Sequence, residues 1–143
     1  QRLSPTSPRS CLFTQQHSKG QETMKITATC HCGAIELTGD APNGYEDAAR
    51  CNCSFCKRRQ AGNIGVTSAT LEITKGVDNL GLYSFGTHTA QHYFCKTCGI
   101  YTHHQTRSNP LMCGVNLGCI DATHPLDHEP ITWRDSINHP SDQ

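Results

Sequence analysis

A chain of 143 residues with twelve basic and twelve acidic side chains has no net positive field to draw it to a phosphate backbone, which argues against a nucleic-acid partner. No apolar run comes near the roughly 18–20 residues that cross a bilayer, so no membrane partner is expected and the chain reads as cytoplasmic. Hydrophobic residues make up 35% and aromatic residues 6%, against ten cysteines, so a thin core is expected to be supplemented by sulfur chemistry.

In chain order, residues 1–23 form a Ser-, Pro- and Gln-rich stretch with no periodicity, expected to be a disordered tail, a tag or upstream sequence ahead of a start at Met24. Leu12 and Phe13 stand alone there, too few for a signal-peptide core, and Cys11 is set aside with the tail. A zinc-binding domain is expected over residues 24–143. "MKITATC" and "AIELTG" alternate apolar and polar residues on either side of "HCG", which predicts a hairpin. "NIGVTS", "LEITKG", "LGLYSFG", "AQHYFC", "IYTHHQ" and "LMCGVNLG" follow as short strands divided by Gly, Asn and Pro. Ser54 to Gln60 is the one plausible helical turn, with Ser54 as its N-cap. "DATHPLDHEP" reads as irregular, and "ITWRD" as a last edge strand. The fold class is mostly β, with many short strands.

Cysteine spacing carries the chemistry. Cys30 and Cys32 sit at i and i+2 in an extended segment, where side chains share a face. Cys95 and Cys98, followed by Gly99, make a C-x-x-C-G knuckle. The two pairs together supply the four thiolates of a tetrahedral structural zinc site. Cys51, Cys53 and Cys56 remain as a set of three. Such a set is either closed by a fourth residue, for which Cys113, Cys119, His31 and His92 are candidates, or open for chemistry. Cys113 and Cys119 lie in apolar, strand-like context and read as small buried hydrophobes.

Zn²⁺ on three thiolates is formally anionic and a weak activator of water, so a soft ligand such as a substrate thiol suits it better. Lys57, Arg58 and Arg59 stand beside the trio, where they would offset its charge and attract carboxylates. His103 and His104 alternate faces, so at most one looks into a site. No H-E-x-x-H, G-x-S-x-G or G-x-x-x-x-G-K sequence occurs.

"TATCHCGAIEL", "ARCNCSFCKRRQAG", "YFCKTCGIYTHH" and "GVNLGCIDA", in this order, resemble the glutathione-dependent formaldehyde-activating enzyme family, which also contains centromere protein V. The likeness runs from about Lys25 to Asp121, with a looser echo near Trp133. It implies an Mss4-like β-tent stabilised by two zinc ions. One would be structural, on Cys30, Cys32, Cys95 and Cys98; the other, on Cys51, Cys53 and Cys56, would keep its fourth position for glutathione. The implied activity is a carbon–sulfur lyase chemistry that joins formaldehyde to glutathione as S-hydroxymethylglutathione. Arg58 or Arg59 would then anchor a glutathione carboxylate. The alternative from another class is a non-catalytic, zinc-stabilised thiol carrier or protein-interaction module.

Overall fold

The structure, a computed structural model, describes residues 23–137. The expectation for the tail, Cys11 included, thus falls outside the described residues apart from Thr23. From Met24 onward the chain is mostly β, as its alternation requires. Strands β1 (Met24–Thr29) and β2 (Glu36–Ala41) form the expected antiparallel hairpin, paired from Met24↔Ala41 to Thr29↔Glu36. Strand β5 (Glu72–Lys75) adds antiparallel to β2 and completes a three-stranded sheet.

The second sheet has seven strands in the order β10-β3-β4-β9-β8-β7-β6. Its members are β3 (Ala49–Cys51), β4 (Asn63–Thr67), β6 (Leu80–Tyr83), β7 (Gln91–Cys95), β8 (Tyr101–Gln105), β9 (Met112–Asn116) and β10 (Thr132–Arg134). All pairings are antiparallel except β10 with β3, which is parallel. "ITWRD" is therefore an edge strand, as expected. β3 was not foreseen. At three residues it is too short to alternate, and its neighbours β4 and β10, not its own sequence, hold it extended.

The helical turn is real but its start differs. Helix α1 (Cys56–Arg59) has Phe55 at the N-cap, already in right-handed helical geometry, and no side-chain cap bond. Ser54 is thus not the N-cap: an i→i−4 bond from Lys57 N to the Cys53 carbonyl at 2.9 Å has already wound the preceding turn. The Ser54 carbonyl instead accepts from the Arg58 guanidinium. Gln60, at φ 52°, ends the helix. "DATHPLDHEP" contains a 3₁₀ turn at Pro125–His128, where the His124 ring accepts from Leu126 N.

The core lies between the two sheets. Ile26, Ala28 and Leu37 from the small sheet meet Ile64, Val66 and Val115 from the large one. The sheets approach closely at Gly39, where a Cβ would stand 2.6 Å from Val66 Cγ1. A smaller apolar cluster of Cys30, Ile35 and Cys95 lies apart from this core. It marks the place where the end of β1 meets the end of β7, and there sulfur takes over from carbon.

Candidate metal centre and cleft

Two groups of thiols converge. Cys30, Cys32, Cys95 and Cys98 bring their sulfurs within 4.8 Å of one another. Each pair sits on a turn closed by a left-handed glycine, Gly33 at φ 82° and Gly99 at φ 79°. Gly33 N bonds the Cys30 carbonyl at 3.2 Å and Gly99 N bonds the Cys95 carbonyl at 2.9 Å. These turns aim backbone amides at sulfur: Ile35 N at Cys30 (3.3 Å), and Thr97 N and Cys98 N at Cys95 (3.3 and 3.5 Å). The Asn79 amide adds a donor to Cys95 at 3.5 Å. Such donors stabilise thiolate charge.

The dimensions test whether a metal fits. A tetrahedron with metal–sulfur distances of about 2.3 Å has sulfur–sulfur edges of about 3.8 Å. Cys32 Sγ lies 3.7 Å from both Cys30 Sγ and Cys95 Sγ. The cage thus has the size for a thiophilic ion such as zinc, and it joins the small sheet to the large one.

The second group is Cys51, Cys53 and Cys56, also within 4.8 Å, and among the described residues no further Cys, His or carboxylate joins it. Cys51 ends β3, Cys53 lies in the turn, and Cys56 opens α1. Cys53 N faces Cys51 Sγ at 3.5 Å and Cys56 N faces Cys53 Sγ at 3.3 Å. Protons are shared unequally among these sulfurs. A hydrogen bond from Cys56 holds the Cys51 thiol down to about 5, and the same bond, with burial, drives Cys56 upward. Three sulfurs this close cannot all be thiolates without a cation among them, which is the condition a soft dication relieves.

The candidates for closing the trio do not reach it. Cys119 is free and buried, as a small hydrophobe would be. Cys113 is buried too, but it is disulfide-bonded rather than a free apolar thiol, and both lie outside the two groups. His31 is exposed on the four-cysteine side. His92 is turned to Arg59 instead, with its Nδ1 3.3 Å from Nη2.

All three cysteines of the trio line a cleft of about 930 Å³. Its other walls come from the β6–β7 loop at Phe85, the β8–β9 loop at Arg107, and Arg134 on β10. Lys57 and Arg58 are exposed on α1. Arg59 is not. Its guanidinium lies 3.5 Å above the Tyr101 ring and 4.6 Å from that of Phe55, with Nη2 3.7 Å from Cys56 Sγ. It is a fixed counter-charge behind the sulfurs.

His104 lines the cleft while His103 is fully buried, stacked on Tyr93 at 4.7 Å, so the two part company as alternation demands. A register shift between Tyr93 and Phe94 leaves Thr102 as the extra residue of β8. It brings Tyr101 round to the face of His104, and the Tyr101 hydroxyl sits 2.6 Å from both His104 Nδ1 and Asn63 Oδ1. Sequence reasoning allowed one of the two histidines to face a site, but had no signal that Tyr101 and Asn63 would partner it, nor for Phe85 and Arg107. They are scattered over four segments and share no motif.

The fold and the site define a class: a two-sheet β domain with one four-thiol cage at the sheet junction and one three-thiol group opening on a cleft. Residues 25–136 match the family model for glutathione-dependent formaldehyde-activating enzyme, and the chain belongs to that family. It is also similar to a protein from Rhodobacter sphaeroides solved by crystallography. The two share 50% identity and a TM-score of 0.74, over 78% of this chain and all of the other.

Proposed function

We propose that this protein condenses glutathione with formaldehyde to S-hydroxymethylglutathione at the Cys51–Cys53–Cys56 site, a carbon–sulfur lyase reaction taken in the bond-forming direction. The observation that carries the reading is the three-thiol group, with no fourth protein ligand among the described residues, set in the wall of a cleft. That cleft, at about 930 Å³, is of the size that takes a tripeptide rather than formaldehyde alone.

Cys51, Cys53 and Cys56 would hold one zinc ion, and Cys30, Cys32, Cys95 and Cys98 a second, structural one. When bound at the trio, zinc supplies a thiophilic Lewis acid that keeps an incoming thiol ionised at neutral pH. The chain's own residues do the rest. Arg59, held against Cys56, offsets the negative charge that a fourth sulfur brings. Arg58, or Arg59 by its remaining donors, anchors a glutathione carboxylate, and Arg107 and Arg134 on the cleft wall make the approach favourable to an anion. Fixing the tripeptide along the cleft holds its sulfur against the aldehyde, so proximity is the main source of rate. The carbon–sulfur bond forms as the carbonyl π pair moves to oxygen, and the proton lost by the thiol ends on that oxygen.

Cys53→Ser tests the site. It is expected to lose one of two zinc equivalents and, with it, glutathione binding, while the fold persists. Loss of one zinc with unchanged glutathione affinity would overturn the reading.

A further inference from the structure

Two imidazoles, His92 and His104, face one another across β7 and β8, paired in register and stacked at 5.2 Å with 26° between their planes. Both line the cleft beside the trio. Each has one ring nitrogen committed, and the partners differ in kind. His92 Nδ1 faces Arg59 Nη2 at 3.3 Å. A guanidinium has donors and no acceptor, so this nitrogen must accept, and the proton of the neutral ring sits on Nε2.

His104 is fixed the other way. Asn63 is oriented by its Nδ2 bond to the Ala61 carbonyl at 3.3 Å, which leaves Oδ1 toward Tyr101. An amide oxygen only accepts, so the Tyr101 hydroxyl donates to it and its oxygen accepts from His104 Nδ1–H. His104 Nε2 therefore carries a lone pair. The two Nδ1 atoms point at one unit, the Arg59 guanidinium lying 3.5 Å above the Tyr101 ring. Two neighbouring rings that both line the cleft thus carry one Nε2 donor and one Nε2 acceptor.

We propose that His92 is a catalytic residue whose Nε2–H hydrogen-bonds the aldehyde oxygen as it becomes an alkoxide, and that His104 Nε2 accepts a hydrogen bond from the hydroxyl of the finished adduct. The pair is complementary to a hydroxyl group, which accepts one hydrogen bond and donates another. The inference rests on the functional reading of the trio. Atoms balance without any further reactant: the thiol proton ends on the new hydroxyl, and both rings begin and end neutral. Burial, then the charge of Arg59, push His92 down to about 4, so it stays neutral at physiological pH. A neutral imidazole is the form that polarises a carbonyl by donation without giving up its proton to solvent. Phe55, tilted against His92 at 4.6 Å, and Phe85, stacked on it at 6.0 Å, hold the ring in a weakly polar wall where such a bond counts for more.

Exchange NMR of the glutathione–formaldehyde equilibrium measures the catalysed rate above the spontaneous one, and glutathione binding is measured separately by calorimetry. His92→Phe keeps the stack and removes the donor, and is expected to lower kcat by about 100-fold, the lower end for one lost oxyanion donor, with glutathione affinity unchanged. His92→Gln, whose amide reaches the same position, is expected to recover most of that loss. Independently of turnover, long-range ¹H–¹⁵N spectra should find the proton on Nε2 of His92 and on Nδ1 of His104. A kcat for His92→Phe equal to wild type, with binding intact, overturns the role of His92 alone, as does a proton on its Nδ1. Failure of the wild-type protein to bind glutathione strikes the reading of the trio, and the role of His92 with it.

Discussion

Gly114 on β9 stands directly opposite His104, and the imidazole lies flat across the place where a side chain would be. In Gly114→Ala the new Cβ would meet Nδ1 at 2.9 Å and Nε2 at 3.1 Å, and Cε1 closer still. Ordinary contact needs about 3.5–4.0 Å, so the ring must move by something near 1 Å. The 2.6 Å bond to the Tyr101 hydroxyl does not survive such a shift. Its loss costs about 0.5–1.5 kcal/mol, and overpacking adds about 1–3 kcal/mol. A total of about 2–4 kcal/mol translates into roughly 5–15 °C in Tm at this chain length. Thermal unfolding with metal bound measures it. Gly118→Ala is the control, because its Cβ finds only ordinary contacts with Asn116 Oδ1 at 3.4 Å and Pro125 Cγ at 3.9 Å. A Gly114→Ala protein melting within about 2 °C of that control, less than 1 kcal/mol of destabilisation, would refute the packing of His104 described above.

Three further outcomes follow from the same geometry. His103 is fully buried with no partner for Nε2, and burial drives its pKa down to about 3. The unfolded chain therefore takes up a proton that the folded chain refuses as pH falls below about 6.5. Stability tied to this group is present above that pH and lost as pH falls towards about 3. Between pH 7.5 and 5.5, wild type should lose about 1.4 kcal/mol more than His103→Phe in urea unfolding, and parallel losses would count against a buried neutral ring. Cys98→Ser should unfold the sheet junction and lower Tm sharply, whereas Cys51→Ser should remove one zinc with a smaller shift; equal shifts would deny the two sites their different roles. Arg50 grips Glu129 with a two-pronged ion pair at 3.0 and 3.4 Å and bonds the Gln60 carbonyl at 2.9 Å. Arg50→Lys loses the fork and should speed amide exchange in β10, while unchanged exchange would show that the pair does not hold that edge.

How far the sequence reached depended on distance along the chain. Period-two alternation located β1 and β2, while short segments divided by Gly, Asn and Pro located most of the large sheet, whose inner strands β7, β8 and β9 bury consecutive residues instead of one face. Cysteine spacing separated four thiols from three, since sulfur pairs on knuckles are local features. β3 escaped because three residues cannot alternate and its extension is imposed by β10, some eighty residues later. The α1 cap was misplaced at Ser54 because the bond from Lys57 N to Cys53 winds the turn before a side chain could cap it. Arg59 was visible beside the trio, but not its half-burial, which depends on Tyr101 arriving from β8, across β4 and β9 from β3. The tautomers of His92 and His104 were beyond reach for the same reason: Arg59 sets the first from another segment, and the second depends on Asn63 of β4 orienting the Tyr101 hydroxyl.

In the proposed function the Cys51–Cys53–Cys56 site takes its fourth ligand from glutathione. Cadmium-113 NMR of protein loaded with two cadmium ions reads each site separately. Glutathione should shift the resonance of the three-thiol site saturably, as a fourth sulfur enters, and leave the four-thiol resonance in place. Two resonances that both stay put on addition of glutathione would contradict it.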